Sequence, residues 1–323
     1  MQTSELHSFF LYVIFGHLLA YAAVALYLKY FARNNPKQHM MLYLLAILTP
    51  YVTFLLYHSL LTKQCHTGIF LLNEQTLGFF CHLGYLASIY LSPLLLFFGG
   101  AGVLKAAAVP FFIARARRQA VMMPRHEAER VQRILAAQCA ALCLSVPEVI
   151  YSGKRGFAAF VAGLGKPVLV INARLFTRLT EQEIKAVLTH ELVHIKRKDT
   201  LFSYLLYLLR NGAFFSPFSS LLLRSYLLEN ERNCDREASA CLGDFHGYST
   251  AMLKVWRLLL EGAEVNPAVL SSGFGTGGRE MEWRLISLLQ STQRQEKSRP
   301  SYLFYCFAAA MPVSITLLLG LIC

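Results

Sequence analysis

His190, Glu191 and His194 stand in the order His-Glu-Leu-Val-His, the one stretch of this chain whose residue types and spacing carry chemistry on their face. Residues i and i+4 share one face of an α-helix. His190 and His194 can therefore bind one Zn²⁺ through ring nitrogens, while Glu191, about 100° round the axis, reaches the water that would attack a peptide carbonyl. Two imidazoles leave such a site one ligand short. Glu231 and Asp235 recur at i, i+4 in the polar run 229–238. Glu231 can close a His₂Glu set that leaves the fourth position open, and Asp235 can accept the second N–H of a ligating histidine and fix its tautomer. Charge runs are ordinarily solvated helix faces, and it is the pairing with the His-Glu-x-x-His helix that turns this one toward ligation. A metzincin would need Gly and His at fixed offsets after the motif. Arg197 and Thr200 stand there instead.

Such chemistry needs a preformed helix. Thr180 and Glu183 make a capping box, and the apolar positions Ile184, Val187 and Leu188 continue into Val193 and Ile195, which predicts a helix from Glu181 to Arg197. An amphipathic helix is expected over 126–144, polar at Glu127, Glu129, Arg130 and Arg133 and apolar at Val131, Ile134, Leu135 and Leu142. Three short strands are expected between these helices: Glu148 to Tyr151, Phe157 to Ala162 and Val168 to Asn172, separated by the glycine-bearing segments 153–156 and 163–167.

The motif with its continuation to Asp199, the segment Phe214-Phe-Ser-Pro217-Phe, and Glu231-Arg-Asn-Cys234-Asp235 closely resemble the BlaR/MecR family of membrane-embedded zinc metallopeptidases. The resemblance also takes in Ala159-Phe160-Val-Ala-Gly163, Lys166-Pro167 and Trp283-Arg284-Leu-Ile286, and spans most of residues 120–322. It implies a gluzincin-like α+β peptidase with one Zn²⁺ per chain, Glu231 as third ligand, and His190, Glu191 and His194 carried over one for one. In gluzincin-like peptidases an edge strand at this position pairs with extended substrate, so Phe160, Val161, Ala162 and Gly163 are the candidate substrate strand. The resemblance further implies a protein or peptide substrate, a transcriptional repressor among the candidates, and self-cleavage, for which Ser271 to Gly278 offers a flexible stretch. Cys234, common at its position in that family, is read as packing beside the site. The β-lactam transducers of the family carry a penicillin-binding domain after their last membrane helix. This sequence stops at Cys323, so antibiotic sensing by that route is not expected, and a signal would enter through the membrane helices and the loop Lys63 to Cys81.

Composition places the site on a membrane protein. Apolar residues make up 55% of the chain and charged residues 15%, against about a quarter charged in soluble domains. Four stretches are long enough to cross a bilayer: Phe9 to Phe31, Met41 to Leu61, about Leu83 to Leu104, and Tyr302 to Ile322. The expected architecture is mostly α. Residues 1–114 form a three-helix membrane region, 115–300 a cytoplasmic zinc peptidase domain inserted between membrane helices three and four, and 301–323 the fourth helix. Within the inserted domain, 201–228 is apolar yet broken by Arg210, Pro217 and Arg224, so a helical hairpin lying against the membrane face is expected rather than a span. Basic residues after helix one (Arg33, Lys37), after helix three (Arg115, Arg117, Arg118) and before helix four (Arg294, Lys297, Arg299), against Lys63 alone between helices two and three, put the N-terminus outside and the zinc domain inside a cell membrane. The net charge of +12 is then attraction to anionic lipid. No basic helix with interleaved aromatics accompanies it, so nucleic acid is not an expected partner.

Cys65 and Cys81 flank the outside loop, where a disulfide or two free thiols are open; Cys139 and Cys143 lack a second pair at zinc-finger spacing and are read as packing. His246 and Tyr248 are the nearest candidates for an oxyanion donor. Self-association is left open. An intramembrane protease of the site-2 type would put the motif inside an apolar span, and Glu181, Glu183, Lys185 and the run 196–199 argue for an aqueous helix. A prenyl-protein or HtpX-type quality-control peptidase shares the motif, the Glu-x-x-x-Asp helix and the membrane anchor, and is the alternative enzyme. A non-catalytic receptor with a structural zinc site is the alternative outside catalysis, and it would have no need of Glu191.

Overall fold

The computed structural model describes residues 2–31, 35–56, 74–262, 283, 284, 286, 288 and 302–322. The chain is mostly helical and divides into two compact units. The first holds Met1–Leu104, Leu205–Asn230 and Lys297–Cys323. Four helices are long and apolar enough to cross a membrane, over Phe9–Phe31 of α1 (Gln2–Phe31), Pro36–Leu56 which is all of α2, Ile89–Ala107 of α3 (Glu74–Ala107) and Tyr302–Leu319 of the last helix. The second span thus begins five residues before the expected Met41, because Pro36 opens the helix at a position where its missing N–H costs nothing. α1 and α2 pack closely. A Cβ on Gly16 would meet Pro50 Cβ at 2.9 Å, so only glycine admits the Pro50 ring there.

The apolar stretch 201–228 folds as a hairpin of α8 (Asp199–Gly212) and the start of α9 (Pro217–Leu242). Its segment 205–230 packs among the spanning helices. Tyr51 of α2 donates to the Leu209 carbonyl at 2.7 Å, and Phe215 lies edge-on to Phe10 of α1 at 4.8 Å between ring centroids. Side chains of Leu206, Leu222, Leu223 and Tyr226 join one apolar core with Tyr12, Val24 and Leu42. Burying that face against apolar helices leaves Arg210 and Arg224 exposed.

The second unit, Lys105–Tyr204 with Glu231–Glu296, carries the sheet and the motif helix. α4 (Val109–Arg118) is followed by α5 (Arg125–Ala141), β1 (Glu148–Ser152), β2 (Ala159–Ala162), β3 (Val168–Asn172), the short α6 (Ala173–Phe176), α7 (Glu181–Arg197) and, after α9, α10 (Phe245–Gly262). Sheet order is β1-β3-β2, with β1 parallel and β2 antiparallel to β3. β3 is central and buried along its length, which matches its unbroken apolar run Val168-Leu-Val-Ile171. Its two faces feed two cores. Leu169 and Ile171 pack with Leu135 of α5, Leu188 and Leu192 of α7 and Val255 of α10, while Val168 and Val170 pack with Ile150, Phe157 and Ile113 of α4. α7 therefore lies on the sheet between α5 and α10, directly against β2.

The start of α7 is fixed by the capping box read from the sequence: Glu183 N donates to Thr180 Oγ1 at 3.4 Å and Thr180 N to Glu183 Oε2 at 2.8 Å. Lys254 of α10 donates to both Glu183 oxygens, and although burial works against ionisation, that cation and the Thr180 backbone hold the carboxyl below its usual range. Thr180→Ala is expected to cost about 1 kcal/mol, seen as a lower thermal midpoint of the detergent-solubilised protein; an unchanged midpoint would mean that packing alone sets this helix.

Candidate active site and metal centre

α7 brings His190 and His194 to one face, with ring centroids 4.8 Å apart and Nε2 atoms 3.2 Å apart. Glu231 arrives from α9, its Oε2 3.5 Å from His190 Nε2 and its Oε1 3.5 Å from His194 Nε2. Ligands held at ~2.0–2.2 Å around a tetrahedral zinc are separated from one another by ~3.3–3.5 Å. These three groups stand at that separation. Glu231 Oε2 is also buried and makes no hydrogen bond among the described residues, an arrangement that fits a metal ligand better than a structural carboxylate. Burial opposes ionisation of Glu231, but His194 and Arg284 outweigh it and lower its pKa to about 2. Cys234 is the other candidate. The ligand atoms of His190, His194 and Cys234 lie within 4.8 Å of one another, but the Cys234 thiol is directed at the His190 carbonyl at 3.4 Å.

Each histidine presents Nε2 to the common point because its Nδ1 is held from behind. His190 Nδ1 lies 3.1 Å from Asp235 Oδ1 and 2.9 Å from the Tyr248 hydroxyl, which itself donates to Asp235 at 2.8 Å. Asp235 stands one helical turn beyond Glu231 on α9. Tyr248, fully buried on α10, faces the nitrogen turned away from the candidate metal position, so its hydroxyl orients His190. His246 is exposed at the start of the same helix.

Asp199 was invisible as a site residue in the sequence, although it stands in the resembled segment. Its Oδ2 lies 2.7 Å from His194 Nδ1. Lys198 makes this possible by taking a left-handed conformation (φ 57°), which ends α7 and folds the next residue back over the last turn. The signal that could have found it is a carboxylate five residues after a candidate ligand histidine, just past a helix stop. Asp199→Asn is expected to weaken zinc binding by about 10- to 100-fold with the fold intact, measured by competition with a chromophoric chelator. An unchanged affinity would show that Asp199 merely caps α8.

Arg284 is the second residue that sequence reasoning passed over. Its Nε and Nη2 donate to the two oxygens of Asp235 at 2.7 and 2.8 Å, and its Nη1 lies 3.4 Å from Glu231 Oε2. Burial works against the guanidinium charge, and Asp235 more than restores it. For Asp235 burial opposes ionisation, and the Arg284 fork holds it ionised well below the usual carboxylate range.

Glu191 is buried, and that burial raises its pKa above the ordinary carboxylate value despite the neighbouring His190 and His194. A raised carboxyl beside the metal position suits a proton carrier. β2 pairs with β3 alone among the described residues, so Phe160, Val161 and Ala162 lie on a sheet edge against α7, with Gly163 just past the strand in a positive-φ conformation (φ 98°) where a Cβ would collide with the Lys166 carbonyl. Cys65, the Cys81 side chain and Ser271 to Gly278 lie outside the described residues. A family model described as BlaR1 peptidase M56 matches residues 93–273. No curated protein matches the chain.

Proposed function

The chain belongs to the BlaR1 peptidase M56 family, whose model covers more than half of it, and from that premise we propose that it is a zinc endopeptidase of the cell membrane that cuts a cytoplasmic or membrane-proximal protein in a signalling response. The observation that carries this reading is the set of three ligand groups at 3.2 to 3.5 Å beside a buried carboxylate of raised pKa. His190, His194 and Glu231 would hold the ion. Zinc, when bound, polarises the scissile carbonyl and lowers the pKa of the attacking water to near 7.

The remaining work falls to the chain. Asp235 and Asp199 accept the Nδ1 protons of His190 and His194, which keeps both Nε2 lone pairs directed at one point. Glu191 takes the proton of the attacking water and passes it to the leaving amine, a role its raised pKa favours at neutral pH. An extended substrate would add to the free edge of β2 through main-chain hydrogen bonds beside Phe160, Val161 and Ala162, because α7 lies against that strand. In this reading the peptidase unit lies between the third and fourth membrane helices on the cytoplasmic side, with the N-terminus outside, as the basic residues favour. A transcriptional repressor is the favoured substrate.

The test is a comparison of cleaved cytoplasmic and membrane proteins in cells carrying the wild type or Glu191→Ala. A specific repressor cut only by the wild type supports the signalling role. Differential cuts confined to misfolded membrane proteins would overturn it in favour of quality control.

A further inference from the structure

Around Arg284 the usual rule of burial is reversed. Trp283 is 57% exposed and Ile286 lies at the surface, whereas the Arg284 side chain between them is 1% exposed, with Leu288 buried on its side. A charged residue is driven inward in this way only when its partners inside compensate the lost hydration. Those partners are Asp235, gripped by two parallel N–H···O bonds at 2.7 and 2.8 Å, and Glu231, 3.4 Å from the third nitrogen. Arg284 thus touches the carboxylate behind one histidine and the carboxylate that completes the metal set.

We infer that Arg284 is a positioning residue of the metal centre: it holds Asp235 so that Asp235 holds His190 for metal, which makes the segment bearing it part of the peptidase site. The inference rests on the zinc reading given above. Without the fork, Asp235 would be a buried carboxylate free to turn, and Tyr248 and His190 would compete for its Oδ1, to which they stand at 2.8 and 3.1 Å. A planar guanidinium fixes both carboxylate oxygens at once, which a lysine ammonium does not.

Zinc affinity of the full-length, detergent-solubilised chain, measured by competition with a chromophoric chelator, tests this without reference to turnover. Arg284→Gln is expected to weaken zinc binding by about 10- to 100-fold, with Arg284→Lys recovering part of the loss. In an Asp235→Asn background, where the grip no longer matters, Arg284→Gln should add less than about threefold, since residues acting through one another are not additive. A general loosening of the fold would instead act in both backgrounds. Equal factors in both, or wild-type affinity in Arg284→Gln, overturn the inference; a wild-type chain that takes up no zinc overturns the reading of the site itself.

Discussion

Glu191→Ala is expected to keep its zinc and lose turnover. Glu191 is no part of the set formed by His190, His194 and Glu231, so removing its carboxylate leaves the ligand separations of 3.2 to 3.5 Å in place. What is lost is the only group on the motif helix placed to carry a proton between the attacking water and the leaving nitrogen. General-base catalysis is worth about 10²- to 10⁴-fold in rate, and the fall in kcat should be at least of that size. Burial of Glu191 strengthens the expectation: the site admits little solvent to substitute for it. Elemental analysis for zinc together with cleavage of a protein substrate checks both halves. Turnover at the wild-type rate would remove Glu191 from the mechanism.

Zinc affinity is expected to collapse in acid, and at a higher pH than the titration of Glu231 would allow. Burial works against the imidazolium form of both rings, yet the groups around them outweigh it: Cys234, Tyr248 and Asp235 for His190, Cys234, Glu231 and Asp199 for His194. Both pKa values in the metal-free protein therefore lie well above the ordinary histidine value. Metal requires the neutral rings, so each histidine must release a proton on binding. As pH falls through the first raised pKa, affinity should drop about tenfold per pH unit, approaching a hundredfold once both rings are protonated. Glu231, lowered to about 2, stays ionised throughout. The metal-free fold behaves the opposite way. Raised histidine pKa values contribute stability that is full below the unfolded value near 6.5 and is lost as pH rises through the folded values. The gap in thermal midpoint between zinc-loaded and zinc-free protein should thus widen with increasing pH. A gap and an affinity that are flat from pH 5 to 8 would exclude both histidines as ligands.

Local signals made half of this site readable. The capping box at Thr180 and Glu183 and the apolar stripe of α7 set both ends of the motif helix, and i, i+4 spacing placed Glu231 and Asp235 on one face, since each depends on residues within a few turns. The three strands were equally legible from composition, but their order was not. β3 lies between β1 and β2 because both of its faces are apolar and need cover, a property of the assembled sheet. Asp199 depends on one left-handed residue at Lys198, where no glycine announces the turn. Tyr248 could be named from sequence, but which ring nitrogen it meets is decided by how α10 packs on α7. Arg284 was the least legible. It lies 49 residues from its partner Asp235, and helix patterning would place Trp283 inside and the arginine out. Periodicity over 201–228 does not reveal that the helix beginning at Pro217 continues unbroken as the 26-residue α9 that carries Glu231.

That inverted pattern at Trp283 and Arg284 gives the protein an optical reporter of its own. The chain has two tryptophans, Trp256 in α10 and Trp283. Replacing Trp256 with Phe leaves a single tryptophan, covalently next to the guanidinium that grips Asp235. With its indole already mostly in solvent, changes in its emission anisotropy would follow the seating of Arg284 rather than burial of the ring. Seating and release could then be timed in the intact membrane protein, with no label attached and no substrate known.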